Sequence, residues 1–192
     1  MRTLPRPAPD WQVDTWFNTT TAPSLQSLRG KVIVLEAFQM LCPGCVSHGL
    51  PQAQRVAATF PREQVAVIGL HTVFEHHAAM TPVSLQAFLH EYRIGFPVGV
   101  DTPGGASPIP HTMHAYGMQG TPTLTLIDAQ GVMRHQHFGQ VGDLMLGAQI
   151  AELVGEATLA RVASSEAGTR TPAGCDDAGC ALPADATDAT LR

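Results

Sequence analysis

A Cys-Pro-Gly-Cys run, Cys42-Pro43-Gly44-Cys45, stands between a strand-like stretch and a helix-like one. That placement limits the fold more than anything else in the sequence. Val32 to Phe38 (Val-Ile-Val-Leu-Glu-Ala-Phe) is β-branched at its start, follows Gly30, and reads as a strand buried on both faces. Val46 to Phe60 reads as a helix that Pro51 should kink. The cysteines therefore open a helix at the end of a buried strand. A thiol there feels free backbone N–H groups and the positive end of the helix dipole, which favours thiolate. In such motifs the first cysteine is exposed and attacks. The second lies a turn inside and closes the internal disulfide. Pro43 and Gly44 set the tightness of that ring.

The remaining pattern extends this unit. Val65 to Leu70 is a second buried strand, and Val83 to Tyr92 a short amphipathic helix. Thr123 to Ile127 and Val132 to Phe138 are strands joined by Asp128-Ala129-Gln130-Gly131, which has hairpin-turn chemistry. Leu144 to Val162 is the last helix. Strands alternating with helices, then a hairpin, predict an α/β fold: a central mixed β-sheet flanked by helices. Residues 1–25, with four prolines, read as an N-terminal arm, and 26–162 as the folded domain. Residues 163–192 are rich in Ala, Thr, Asp and Gly and read as a flexible tail carrying Cys175 and Cys180.

Composition excludes several classes. At 44% hydrophobic and 14% charged, the bulk of the 192 residues should fold. The net charge is −5 and the cations are scattered singly, so no nucleic-acid footprint is expected. No run approaches the roughly 18 apolar residues of a membrane span. No apolar stretch follows Arg2 and Arg6, so no signal peptide is read and a cytoplasmic location is expected. Four cysteines are too few for a disulfide-stapled scaffold, and a close pair without an export signal points to catalysis or metal binding.

Two further elements accompany the cysteines. Glu36 interrupts the apolar strand six residues before Cys42. It reads either as an edge residue facing solvent or as a buried carboxyl near the pair, raised in pKa and able to take the Cys45 proton. Gly120-Thr121-Pro122-Thr123 stands at a strand start, where proline is tolerated because it has no N–H to donate. From sequence alone the Thr121–Pro122 bond is open to either isomer.

Together these elements resemble the thioredoxin superfamily, specifically its TlpA/ResA-like thiol-disulfide oxidoreductase branch. The resemblance covers roughly residues 8–160. It rests on Ala8-Pro9-Asp10, Leu28-Arg29-Gly30-Lys31-Val32-Ile33-Val34, Glu36, the Cys42–Cys45 run, and Gly120-Thr121-Pro122-Thr123-Leu124 with Ile127-Asp128 and Gly131. It implies a thioredoxin fold and a cis-Pro122 packed against the cysteines. It also implies that the Thr121 backbone pairs with an extended substrate segment. Three departures stand out. Leu41 precedes Cys42 where thioredoxins commonly carry Trp, Pro51 comes one residue later than usual, and the leader common in this branch is not visible.

The expected function is thiol-disulfide exchange on a protein or small-molecule disulfide, in the reductase direction, without cofactor or metal. Cys42 is the nucleophile, Cys45 resolves, Glu36 moves the proton, and Thr121 and Pro122 shape the substrate groove. A separate electron donor is required. A peroxiredoxin-like peroxidase is the nearby alternative. That pattern puts Thr or Ser three residues before its reactive cysteine and Pro four before that, where Gln39 and Leu35 stand here. A copper- or partner-binding module would use Cys42, Cys45 and one of His48, His71, His76 or His77. His135 and His137 alternate along a strand and are expected in solvent, and His111 and His114 flank a Pro/Gly-rich loop. Cys175 and Cys180 read either as an incidental pair or as a mobile dithiol shuttle reaching Cys42.

Overall fold

The structure is a computed structural model. It describes residues 4–169, 175–176 and 179–180, with side chains over 4–165. The chain divides near Thr158 into two units, the first of which holds the sheet. In chain order the main sheet comprises β1 (Arg6–Pro7), β2 (Val13–Phe17), β3 (Val32–Phe38), β4 (Val65–His71), β5 (Val98–Asp101), β6 (Thr123–Ile127) and β7 (Val132–Phe138). The helices are α1 (Leu50–Thr59), α2 (Pro82–Glu91), α3 (His111–Tyr116) and α4 (Asp143–Thr169).

The spatial order is β1-β7-β6-β3-β4-β5-β2. β3 is the central strand, parallel to β4 and antiparallel to β6. All seven of its residues are buried, which explains why all but Glu36 are apolar. Alternate residues of β3 feed two cores. Val32, Val34 and Phe38 pack with Leu50 and Ala53 of α1, Leu85 of α2, and Leu146 and Ile150 of α4. Ile33, Leu35 and Ala37 pack on the other face with Met113 and Tyr116 of α3. This is the thioredoxin fold expected from the sequence.

Four features depart from expectation, each for a local reason. The N-terminal residues expected as an arm supply both edge strands. β1 pairs with β7, and β2 with β5. The Trp11 indole N–H donates to the Tyr116 hydroxyl at 2.9 Å, which in turn donates to the Pro9 carbonyl at 2.9 Å. Second, β5 and α3 lie on either side of the Pro/Gly-rich loop, where no element was expected. β5 has four residues, too few for a clear period, and α3 is anchored from a distance. The Asp101 carboxylate accepts the Thr112 and Met113 N–H groups at 2.8 and 2.9 Å. Third, the kink expected at Pro51 is a π-helical turn over Cys45–Gly49, closed by the Leu50 N–H on the Cys45 carbonyl. Pro51 has no N–H for the Ser47 carbonyl, and the wider turn absorbs the loss before α1 begins. Fourth, α4 runs past the expected end at Val162 to Thr169. In the second unit, Cys175–Asp176 and Gly179–Cys180 form two short antiparallel strands with Cys175 opposite Cys180. The rest of the expected tail lies outside the described residues.

Candidate active site

The two cysteines differ in access. Cys42 is half-buried and Cys45 fully buried, and both are free thiols. The Cys42 carbonyl accepts the Val46 N–H at 3.1 Å, so the first turn begins at the nucleophile candidate. The Cys45 backbone N–H donates to Cys42 Sγ at 3.2 Å, and the Cys42 thiol lies 3.4 Å from the Thr121 carbonyl. A sulfur held between a helix N–H and a strand carbonyl is fixed in direction. Burial pushes the Cys45 thiol well above the ordinary cysteine range, and its contact with Cys42 adds to the rise. Cys45 therefore stays protonated until something takes its proton.

Thr121–Pro122 is a cis bond. The Pro122 carbonyl accepts the Gly139 N–H at 2.9 Å, and Thr123 Oγ1 donates to the Gly120 carbonyl at 2.7 Å, so the loop is pinned at both ends. The Pro122 ring faces the motif so closely that a Cβ at Gly44 would lie 3.2 Å from its Cδ. Pro43 is exposed at the rim. So are two large apolar side chains: Leu41, 56% exposed, and Phe138, 56% exposed, whose ring crowds Gly120.

Glu36 lies beneath this turn. It is 1% exposed, and Oε1 has no hydrogen-bond partner. Burial pushes its carboxyl up to about 8. A Cβ at Gly49 would collide with Glu36 Oε1 and approach Pro122 Cβ to 3.0 Å, so glycine lets the helix pass over the carboxyl. Of the two sequence readings, the buried carboxyl describes the position and the solvent-facing edge residue does not.

Sequence reasoning missed what Gln39 and His71 do. Gln39 is buried, and its Oε1 accepts the Phe74 N–H at 3.2 Å, tying the motif loop to the segment after β4. Its backbone carbonyl accepts the Cys42 N–H at 3.2 Å. His71, placed by sequence only near a strand end, pairs with Phe38 in register and is 1% exposed. Its ring centroid is 5.3 Å from that of Phe38, and neither ring nitrogen has a partner. His48, His76, His77, His111 and His114 are exposed, while the His135 and His137 rings stack at 6.4 Å on β7. Among the described residues no three His, Cys, Asp or Glu side chains gather as a metal-holding group.

Burial pushes the His71 imidazole down to about 4. The native ring stays neutral while an unfolded one takes a proton below about 6.5. His71 therefore costs the fold stability progressively as pH falls from about 6.5 to about 4. His71→Leu is expected to be more stable than the parent at pH 5 by about 2 kcal/mol beyond any difference at pH 7. Urea unfolding at the two pH values checks this, and an equal difference at both would refute it.

The sequence profile of the AhpC/TSA family matches residues 5–136. A crystal structure of a thioredoxin-like superfamily protein is 64% identical, with a TM-score of 0.76 over 78% of this chain and 96% of that one. A thiol-disulfide isomerase from Corynebacterium glutamicum is 49% identical, with a TM-score of 0.74 over 77% and 96% of the respective chains. Among curated proteins, DipZ of Mycobacterium bovis is 29% identical over 136 residues, 69% of this chain. The thiol-disulfide oxidoreductase ResA of Halalkalibacterium halodurans is 25% identical over 122 residues, 64% of this chain. The chain spans only 18% of DipZ and 62% of ResA. It belongs to the AhpC/TSA family and, within the thioredoxin superfamily, to the TlpA/ResA-like thiol-disulfide oxidoreductase branch.

Proposed function

We propose that the chain exchanges disulfides through Cys42 and Cys45 and works as a reductase of protein disulfides. The observation that carries this is the asymmetry of the pair: a half-exposed sulfur held by a helix N–H beside Pro122, and a fully buried partner one turn inside. In the forward step the Cys42 thiolate attacks one sulfur of the substrate disulfide and expels the other as a thiolate. Cys45 then gives up its proton to the ionised form of Glu36, which is populated as pH nears 8, and attacks Cys42 Sγ. The second substrate sulfur leaves as a thiolate, and Cys42–Cys45 becomes the disulfide. Two electrons pass from the protein to the substrate, and a donor dithiol returns them.

Leu41 and Phe138 support a protein substrate, because exposed apolar side chains flanking a reactive sulfur suit an apolar peptide segment. A peroxidase reading lacks its hydroxyl. Position 39 is a glutamine whose Oε1 is held by the Phe74 N–H, and Leu35 is buried in the α3-side core. For the tail, we propose that Cys175 and Cys180 act as a second dithiol that reduces the Cys42–Cys45 disulfide and is itself oxidised.

The test is a titration in glutathione buffers, with alkylation and mass spectrometry reading each cysteine. A Cys42–Cys45 potential near about −270 mV supports the reductase, and one near about −120 mV makes the protein an oxidant. A Cys42–Cys45 pair that never forms overturns the exchange reading. Tail cysteines that titrate apart from Cys42 remove the shuttle. Cys45→Ser is expected to hold substrates as mixed disulfides on Cys42. Failure to trap a model peptide disulfide would reverse the order of attack.

A further inference from the structure

At the far end of the sheet from the cysteines is a cavity of about 640 Å³. Cys42 follows the C-terminal end of β3, whereas the cavity is lined by Lys31 before β3 and by the first residues of β4. The seven residues of β3 separate the two sites by roughly 20 Å. Nothing in thiol exchange uses this space. Its size falls within the roughly 300–1,000 Å³ of small-molecule sites.

The lining is chemically one-sided. Lys31, Arg62 and Arg93 line it, and no aspartate or glutamate does. In a chain of net charge −5, a cavity with three cations and no carboxylate is a local reversal of sign. Lys31 Nζ donates to the Arg62 backbone carbonyl at 2.8 Å. Among the described residues the ion pairs of arginine belong to Arg55 and Arg134, so the Arg62 and Arg93 guanidinium groups have no carboxylate. Beside the cations the lining is neutral, with an apolar part that includes Ala57, Phe96 and Pro97 and a polar part that includes Asn18, Ser27 and Gln54.

The wall also carries unpaired backbone. β5 meets β4 only from Gly69 onward, so over residues 65–68 β4 is paired with β3 on one side and has no strand on the β5 side. The Gly69 N–H bonds the Pro97 carbonyl at 2.9 Å on that side. Two residues earlier the Val67 peptide faces the same way, into the cavity.

The rim is built rather than loose. Asn18 Nδ2 donates to the carbonyls of Ile94 at 2.7 Å and Phe96 at 3.2 Å. Gln54 Nε2 donates to the Tyr92 and Arg93 carbonyls, both at 3.1 Å. Arg93 itself sits at φ +53°, just after α2, where glycine is the usual residue. An arginine held in a left-handed conformation at a cavity rim, pinned from two sides, is an outlier of the kind found at binding sites.

We propose that this cavity binds a small amphipathic anion, with an acidic head on Arg62, Arg93 and Lys31 and an apolar body against Ala57, Phe96 and Pro97. Carboxylate and phosphate heads share the required chemistry, since guanidinium takes either in a forked pair. The site is separate from the exchange reaction and does not rest on it.

The test uses the full chain and four eight-carbon probes: octanoate, octyl phosphate, octylammonium and octyl glucoside, with inorganic phosphate alongside. Calorimetry gives affinity and stoichiometry, and amide NMR shifts locate the site. One-to-one binding of either acid, with shifts at residues 54–67 and 93–97, supports the proposal, and preference between the acids assigns the head. R62E/R93E is expected to weaken that binding by about tenfold or more while leaving disulfide exchange unchanged. R29E, outside the lining, is expected to leave it intact. The proposal is overturned if none of the probes binds or if the cation or the glucoside binds as well as the acids. It also fails if inorganic phosphate equals octyl phosphate, if R62E/R93E binds like the parent, or if the shifts fall around Leu41 and Phe138.

Discussion

Cys42→Ser is expected to bring disulfide reduction down to the uncatalysed rate, a loss of about three orders of magnitude or more. The expectation follows from access rather than from the motif alone. Of the two thiols in the described site, Cys45 is 0% exposed and Cys42 is not fully covered. A disulfide arriving from solvent can reach only Cys42. Burial also keeps Cys45 protonated, and a thiol is a poor nucleophile. The hydroxyl of Cys42→Ser would keep the contacts to the Cys45 N–H and the Thr121 carbonyl, so the fold should hold and the loss should be chemical. The measurement is turnover of a peptide disulfide with a dithiol donor, beside unfolding curves of both proteins. Turnover of Cys42→Ser well above background, with a native unfolding curve, would move the nucleophile elsewhere.

What was legible beforehand follows from the range of the forces involved. β3 announced itself because a central strand covered on both faces is mostly apolar, and here Glu36 is its one polar residue. The motif's position at a helix start could be read because strand, cysteines and helix adjoin in sequence. The edge strands β1 and β2 could not. Arg6–Pro7 and Val13–Phe17 are strands only because β7 and β5 offer them backbone partners, more than 80 positions away along the chain. α3 was hidden for the same reason, since the carboxylate holding its N-terminus is Asp101, on β5. His71 shows the limit most clearly. Sequence placed it near the end of a strand, where solvent is common. Only the register opposite Phe38 and the cover of the α1-side core put an unpaired imidazole in the interior. The anionic-ligand cavity was equally silent, because Lys31, Arg62 and Arg93 are singletons in sequence and meet only in the fold.

Glu36→Gln is the change that separates stability from catalysis, because one property should improve and the other collapse. In the native protein the carboxyl holds its proton up to about 8, whereas in the unfolded chain it ionises above about 4.5. The native state therefore binds the extra proton between those values, and stability falls as pH rises through that window. His71 acts in the opposite sense between about 4 and 6.5. The two slopes offset each other from about 4.5 to 6.5, and Glu36 acts alone from 6.5 to 8. Over that upper range the parent should lose about 2 kcal/mol, at 1.4 kcal/mol per pH unit. Glu36→Gln, which cannot ionise, should lose none of it. Catalysis should move the other way. At pH 8, where about half of the parent's Glu36 is ionised and can accept the Cys45 proton, closure of the internal disulfide in Glu36→Gln should be slower by about 10²- to 10⁴-fold, and mixed disulfide should accumulate on Cys42. Urea unfolding at pH 6.5 and 8 reads the first effect, and quenched-flow alkylation with mass spectrometry reads the second. A flat parent curve would show that the carboxyl is ionised or hydrated in solution. Unchanged closure with a steep parent curve would leave Glu36 buried and uncharged but outside the proton path, with the Cys45 proton passing directly to solvent.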